Sequence, residues 1–321
     1  MLSEAMAFYG LYRDFEHAGY FPTTHTEKIF AALKGAVQQG RLVVLSGIVG
    51  CGKSKLLRRI KDDLQRENHM LVSKSMALAK DRITIETLVI ALFHDLSTER
   101  EVYIPGQAEK RERKLIELIS KRKKPVVLLV DEAHDLQRKT LIDLKRLSEL
   151  VEEAGETLSL VLAGHPKLKN ELSRGPMEEV GSRCTFFALE GVKGAQRSFI
   201  SWLLEQCSER SESEMLTEEA AELMASRLVT PLQIMQYLGL GFEEAYQIGQ
   251  KPVTAEMIEG VLAQDIHGLE STMTRSGYGI KVVAELVNVR PTEIRSFLQG
   301  RLSASRAQEL REEMLAVGIP L

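Results

Sequence analysis

Gly47-Ile48-Val49-Gly50-Cys51-Gly52-Lys53-Ser54 meets the pattern G-x-x-x-x-G-K-[ST] at Gly47, Gly52, Lys53 and Ser54. Glycines let a backbone curl so that successive N–H groups point at one anion. A lysine at the end of such a curl brings a point charge to the β- and γ-phosphates of a nucleotide, and a following hydroxyl suits Mg²⁺. The apolar run Leu42-Val43-Val44-Leu45 precedes the motif, and a helical pattern opens at Lys53. That strand-loop-helix context is what the motif needs, because the helix aims its positive dipole end at the same phosphates. Residues 47–55, including Lys55, are therefore expected to bind ATP. Cys51 fills a variable position.

Outward from this loop, the spacing predicts strands at residues 42–45, 70–72, 125–130, 158–163 and 184–188. Helices are predicted at 53–64, 85–96, 106–121 and 137–153 between them. An earlier helix starts at Thr24, where Thr24-His25-Thr26-Glu27 fits a capping box. Continuous apolar strands alternating with helices predict a parallel sheet with helices on both faces, an α/β fold. From residue 191 the pattern changes to consecutive helices (193–208, 217–227, 231–247 and 254–264), an all-helical unit. From Gly268 four further short helices follow, with turns at Gly277, Arg290-Pro291 and Gly300. The aromatic-rich start (Phe8, Tyr9, Tyr12, Phe15, Tyr20, Phe21) reads as an arm packed on the first domain. The expected division is 1–22, 23–190, 191–265 and 266–321.

The strand at 125–130 ends in Asp131-Glu132. Beside a phosphate loop, Asp131 is placed to hold Mg²⁺ and Glu132 to polarise the attacking water. Proteins with such a base insert an extra strand between the two motifs, and Met70-Leu71-Val72 is the nearest candidate. The next strand ends at Ala163-Gly164-His165-Pro166, where His165 is placed to reach the γ-phosphate or the water. Arg183, just before the fifth strand, is a candidate arginine finger for a neighbouring subunit.

The strings LVVLSGIVGCGKSKLLRRI, PVVLLVDEAHDL, LSLVLAGHPKLKNEL and GSRCTFFAL, in this order and spacing, resemble the AAA+ ATPases of the ExeA group and their transposition relatives of the TnsC, TniB, IstB and MuB type. The resemblance covers residues 20–265. It implies a five-stranded P-loop NTPase core, a helical lid, oligomers with sites between subunits, and Arg183 as the finger. Secretion-type members carry a glycine-x-proline-arginine element in the lid. Here Val229-Thr230-Pro231-Leu232-Gln233 puts Leu232 in the arginine's place, a form closer to the transposition ATPases. Secretion-type members also carry a membrane span, and no stretch here reaches about 18 apolar residues.

Lys74, Lys80 and Arg82 follow the second strand, where that group's DNA-facing loops fall. Lys121-Arg122-Lys123-Lys124 reads as a solvated turn. In KVVAELVNVRPTEIRSFLQG (281–300), Ala284 suits close helix contact and Asn288 suits a left-handed turn. Ile294, Phe297 and Leu298 give the second helix a buried face. This predicts a helix-turn-helix-like unit with Arg290, Thr292, Glu293, Arg295 and Ser296 outward, toward DNA or a protein partner.

A formal net charge of -3 places any nucleic-acid contact in local patches rather than in bulk charge. The three cysteines, Cys51, Cys184 and Cys207, show no zinc-ligand spacing and read as reduced cytosolic thiols. No basic-apolar leader is visible at the start. The expected protein is a cytoplasmic ATP- and Mg²⁺-dependent ATPase. It forms a homo-oligomer, as a ring or helical filament, on double-stranded DNA and recruits a transposase, with no membrane partner. Rival readings are an ExeA-like envelope ATPase, a helicase loader or replication initiator, and a scaffold that binds ATP but barely hydrolyses it.

Overall fold

The structure is a computed structural model that describes residues 1–74, 83–98, 102–263 and 269–321. The chain divides into two compact units, one comprising Lys28–Gly47 and Lys53–Leu189, the other Met1–Glu27, Ile48–Gly52 and Glu190–Leu321.

The first of these is built on five parallel strands: β1 (Leu42–Ser46), β2 (Leu71–Lys74), β3 (Val126–Val130), β4 (Leu158–Gly164) and β5 (Cys184–Ala188). Their order is β2-β3-β4-β1-β5. Every residue of β1, β3 and β4 is buried, whereas the edge strands are largely half-buried. That is why the central strands read as unbroken apolar runs. Two buried serines of the strands are satisfied: Ser159 Oγ donates to the Val37 carbonyl at 2.6 Å, and Ser73 Oγ to Asp95 at 2.7 Å. The helix Arg138–Glu153 buries Leu141, Leu144, Leu147 and Val151 at helical spacing, and Ala108–Arg122 buries Leu115 and Ile119.

Two expectations are corrected. The strand seated between the phosphate-loop strand and the Asp131 strand is β4, not the one at 70–72, which forms the sheet edge as β2. β2 lies between the motifs in sequence only, because parallel crossovers let a later strand insert in space. The cap of the helix Thr24–Gln38 also lies one residue earlier than predicted. Thr26 N–H donates to Thr23 Oγ1 at 3.1 Å and Thr23 N–H to Thr26 Oγ1 at 2.9 Å. A threonine hydroxyl thus performs the back-bond assigned to Glu27.

In the second unit the helices Gln196–Cys207, Glu218–Arg227, Pro231–Gln247 and Ala255–Ala263 share one core. Thr230 and Gln233 close a capping box at the start of Pro231–Gln247. The aromatic arm belongs to this helical core and not to the sheet domain. Tyr9 stacks on Phe242 with centroids 4.4 Å apart, and Phe21 meets Phe199 and Trp202 at 5.4 and 5.3 Å. The ring-rich face that completes those pairs lies about 180–230 residues on in the chain, beyond the reach of local pattern.

The last helices, Leu269–Arg275, Ile280–Leu286, Pro291–Leu298 and Ala304–Ala316, have a core of their own around Met273, Tyr278, Val283, Ile294, Leu310 and Met314. Asn288 turns the chain between the second and third at φ 53°. Phe297 and Leu298 pack onto this core half-buried.

Candidate active site

In the sheet unit, β1 ends at buried Gly47, whose N–H donates to the Gly164 carbonyl at 3.1 Å. Lys53 is 6% exposed and its Nζ donates to the Gly47 carbonyl at 2.8 Å. Burial of an ammonium is costly unless an anion or strong dipole meets it, so Lys53 is held where a phosphate would lower its energy. Lys53 opens the helix Lys53–Glu67, whose first turn carries no acidic residue. The positive end of its dipole is left for an external anion. Ser54 and Lys55 follow, both exposed.

At the end of β3, Asp131 Oδ1 accepts the Glu132 N–H at 3.0 Å. That bond orients the carboxylate and leaves its other oxygen for a hard cation. With the exposed Ser54 hydroxyl this donor set fits Mg²⁺. Glu132 adopts the left-handed conformation at φ 54° and starts the short 3₁₀ turn Ala133–Asp135. Non-glycine residues rarely take this conformation, and a strained residue at a strand end marks a site over-determined by its surroundings.

His165 follows β4 and caps the helix Pro166–Leu172. Its Nε2 lies 3.9 Å from Glu132 Oε2. A second histidine, which the sequence reading passed over, joins them. His134 Nδ1 lies 3.4 Å from the same Glu132 oxygen, and its ring stacks on His165 with centroids 3.6 Å apart. Its only sequence signal is a histidine two residues after the base, with another at the end of a later strand. Gly164 permits the approach: a Cβ there would stand 3.1 Å from the His134 nitrogen and 3.0 Å from Leu168. Burial holds the His134 imidazole below the ordinary histidine range, opposed by the charges of Asp135 and Glu132. The ligand atoms of Glu132, His134 and His165 all lie within 4.8 Å of one another. The two rings, however, lie only 25° from parallel. In-plane lone pairs of stacked rings do not converge on a point about 2.0–2.1 Å from each, as a tetrahedral ion requires.

Arg183 immediately precedes β5, whose first residue, Cys184, is in register with Leu42, the first of β1. Its side chain is 56% exposed and Nη1 meets Glu149 Oε1 at 2.8 Å. Glu149 also receives Lys145 at 3.1 Å, and Lys145 reaches Glu179 at 2.5 Å.

In the other unit, Ile48–Gly52 meets the start of the helix Pro231–Gln247. Gly50 sits at φ 79°, and its carbonyl accepts the Leu232 N–H at 3.4 Å. A Cβ on Gly50 would come within 2.4 Å of Leu232 Cβ. Leu232, in the arginine's expected place, thus packs against the glycine. Val49 N–H donates to the Arg275 carbonyl at 3.1 Å, and Cys51 is buried.

Of the candidate DNA contacts, Lys74 ends β2 half-buried, and Lys80 and Arg82 lie outside the described residues. Lys124 Nζ donates to the carbonyl and side chain of Asn68 at 2.8 and 2.9 Å, a structural tie in keeping with the reading of that run as a turn. Arg290, Thr292 and Arg295 are exposed as expected. Glu293 and Ser296 are not outward. Glu293 turns to Arg306 at 2.8 Å, and Ser296 Oγ donates to the Thr292 carbonyl at 3.1 Å. A guanidinium on the last helix competes better for Glu293 than solvent does.

Residues 36–172 match the family model described as an AAA domain. No curated protein matches the chain. Among solved structures, it is similar to the Aeropyrum pernix ORC2 protein in its ADPNP and ADP complexes, at 12% identity and TM-score 0.59 over 96% of this chain and 91% of that one. It is similar to Aeropyrum pernix ORC1 in complex with DNA, at 15% identity and TM-score 0.56 over 99% and 90%. Cdc6p from Pyrobaculum aerophilum matches at 14% identity and TM-score 0.57 over 98% and 90%. At such identities the likeness speaks for the fold. The parallel order β2-β3-β4-β1-β5, the phosphate loop and these matches together give the conclusion that the chain has the AAA+ P-loop NTPase fold, with residues 36–172 matching the AAA-domain model.

Proposed function

We propose that the chain is an ATP-hydrolysing AAA+ regulator that assembles head-to-tail on duplex DNA and recruits or activates a transposase, with hydrolysis driving disassembly. Residues 23–190 would serve as nucleotide core, 191–265 as lid and 266–321 as a partner- or DNA-binding unit, after the arm at 1–22. Residues 47–55 bind the phosphates of ATP. Ser54 and Asp131 would hold Mg²⁺, which would supply positive charge against the phosphates. Glu132 orients the attacking water, and His165 meets the γ-phosphate or that water.

The observation that carries this reading is the polarity of the sheet. β1 runs from Leu42, paired with Cys184, to Ser46, and the phosphate loop follows at Gly47. Arg183 and the loop therefore flank opposite ends of one strand, about 20 Å apart at about 3.3 Å per residue. An arginine so placed does not reach the phosphates of its own chain, and it suits those of a neighbour. On the C-terminal unit, Arg290, Thr292 and Arg295 offer two cations and a hydroxyl for phosphate contacts while Glu293 is engaged elsewhere. Lys74, with Lys80 and Arg82, is the second candidate patch. Among the described residues no helix is long and apolar enough to cross a membrane, which supports a cytoplasmic role over an envelope ATPase.

One observation favours a second reading, a helicase loader or replication initiator. The likeness to ORC and Cdc6 structures spans 96–99% of this chain, C-terminal helices included.

The test is anisotropy of a labelled duplex titrated with protein in ATP, a non-hydrolysable analogue, ADP or no nucleotide. Cooperative, salt-sensitive binding restricted to the triphosphate forms is expected. No binding in any state at low salt would sink the DNA assembly. Stimulation of a transposase, as against loading of a replicative helicase, then separates the two readings.

A further inference from the structure

We propose that His134 is a positioning residue for hydrolysis: its imidazole holds the Glu132 carboxylate and links it, through the stacked ring of His165, to the end of β4. The proposal rests on the reading of Glu132 as the residue that orients the attacking water.

Two imidazoles converge on one oxygen of the base. Nδ1 of His134 and Nε2 of His165 lie 3.4 and 3.9 Å from Glu132 Oε2. The side chains of His134 and His165 are 11% and 15% exposed, so neither contact is a loose surface encounter. The backbone builds the convergence. The left-handed turn at Glu132 leads into a 3₁₀ turn in which Asp135 N–H donates to the Glu132 carbonyl at 3.0 Å and Ala133 is fully buried. That turn folds His134 back over its own neighbour. Gly164 leaves the space in which His165 can stack on it.

A buried neutral imidazole carries one N–H. His134 has a carboxylate at each nitrogen, Glu132 at Nδ1 and, 3.6 Å from Nε2, Asp135 Oδ1. Neither separation is a hydrogen bond as it stands: Nδ1 is a buried nitrogen with no hydrogen-bond partner, and Asp135 lies farther off than Glu132, so Nδ1 and the Glu132 carboxylate are the pair that can close. A ring stacked on His165 cannot shift without moving its partner, because close-packed groups have no slack. Whatever His165 touches at the end of β4 is in this way coupled to the aim of Glu132. Contacts of this kind are often long before substrate binds and tighten afterward.

The test uses the full chain and compares steady-state ATP turnover, KM, and binding of a fluorescent ATP analogue in H134F, H134N and E132Q. Phenylalanine keeps a ring to stack but removes the nitrogens. Asparagine sets an N–H near the Nδ1 position without the ring. H134F is expected to lose roughly 10–100-fold in kcat, with KM and analogue affinity changed by less than about twofold, since misplacing a catalytic group by about 1 Å costs this much. H134N is expected to recover at least several-fold over H134F. Thermal midpoints of all variants separate a folding defect from a positioning one. Wild-type kcat in H134F, or turnover in both histidine variants that follows only their stability, overturns the proposal while an inactive E132Q leaves the reading of Glu132 standing. Wild-type turnover in E132Q overturns that reading and the proposal with it.

Discussion

Cys184 shows how a single position reports on packing. It begins β5, and burial pushes its thiol up to about 12; the same cause lifts Cys207 in the helical unit to about 11. Burial disfavours the charged form, so the reactive thiolate is the species suppressed. At pH 8 a thiol of that acidity is about 0.01% thiolate, whereas a free cysteine is about a quarter ionised. Cys51 is 3% exposed in the phosphate loop. Native protein is therefore expected to react with an aromatic disulfide reagent at pH 8 far more slowly than denatured protein, which should release three equivalents. Rapid titration of one native thiol would show that its surroundings are looser than described. Gly50 reports on the loop itself. At φ 79°, with Leu232 Cβ 2.4 Å from where its own Cβ would lie, Gly50→Ala meets both a left-handed penalty of about 1–2 kcal/mol and a clash. The expected outcome is a lower thermal midpoint and weaker nucleotide-analogue binding. A variant that binds as tightly as the parent would mean that Gly50 and Leu232 separate readily.

Elements differ in how far they can be read before they are seen. β1, β3 and β4 announced themselves, because strands covered on both faces have no polar side to mask the run. The C-terminal helices were equally plain, bounded by Gly277, Pro291 and Gly300. Their turn gives a prediction: Asn288 sits at φ 53°, where asparagine is tolerated and β-branched residues are not. Asn288→Gly should leave hydrogen exchange over residues 269–321 unchanged or slower. Asn288→Val should raise it by an opening free energy of about 1–2 kcal/mol. Equal exchange in both would remove any role for the turn conformation. What stayed hidden was long-range. The strand order depends on which crossover β4 takes, and Glu293 finds Arg306 thirteen residues later. His134 faces Glu132 only because the chain turns left-handed there. The arm's partners lie far along the chain. Tyr9 is fully buried, stacks on Phe242, and its hydroxyl donates to the Gln250 carbonyl at 2.8 Å. Tyr9→Ala should destabilise the helical unit by about 3–5 kcal/mol, and Tyr9→Phe by about 1 kcal/mol, one hydrogen bond. Chemical denaturation followed through Trp202 distinguishes them; an unaffected Tyr9→Ala would mean that the arm only decorates the helical unit.

At the scale of the whole molecule, a parallel sheet has two unlike ends, and in the proposed function this one divides a single catalytic set between them. Lys53, Asp131, Glu132 and His165 gather where the strands finish, and Arg183 stands where β5 begins. Opposite ends of one subunit cannot meet, but a head-to-tail neighbour can bring one end to the other, and such heterologous contacts generate rings or filaments. Within the chain Arg183 is held by Glu149 at 2.8 Å. The arginine side chain of that pair is 56% exposed, and Glu149 keeps Lys145 as a second partner at 3.1 Å, so the guanidinium can transfer to a phosphate without stranding the carboxylate. Turnover should then rise more steeply than linearly with protein concentration, and Arg183→Ala should lose roughly 10³-fold or more while still binding ATP. The decisive experiment mixes two inactive proteins, E132Q with an intact arginine and R183A with an intact base. In a mixed assembly, a site formed by the base of R183A and the arginine of a neighbouring E132Q subunit is complete. Random mixing at equal amounts gives about a quarter of the sites this composition, so about that fraction of wild-type turnover should return. No recovery, despite subunit exchange followed with labelled protein, would mean that the arginine does not act across a subunit boundary, and the head-to-tail assembly would lose its mechanism.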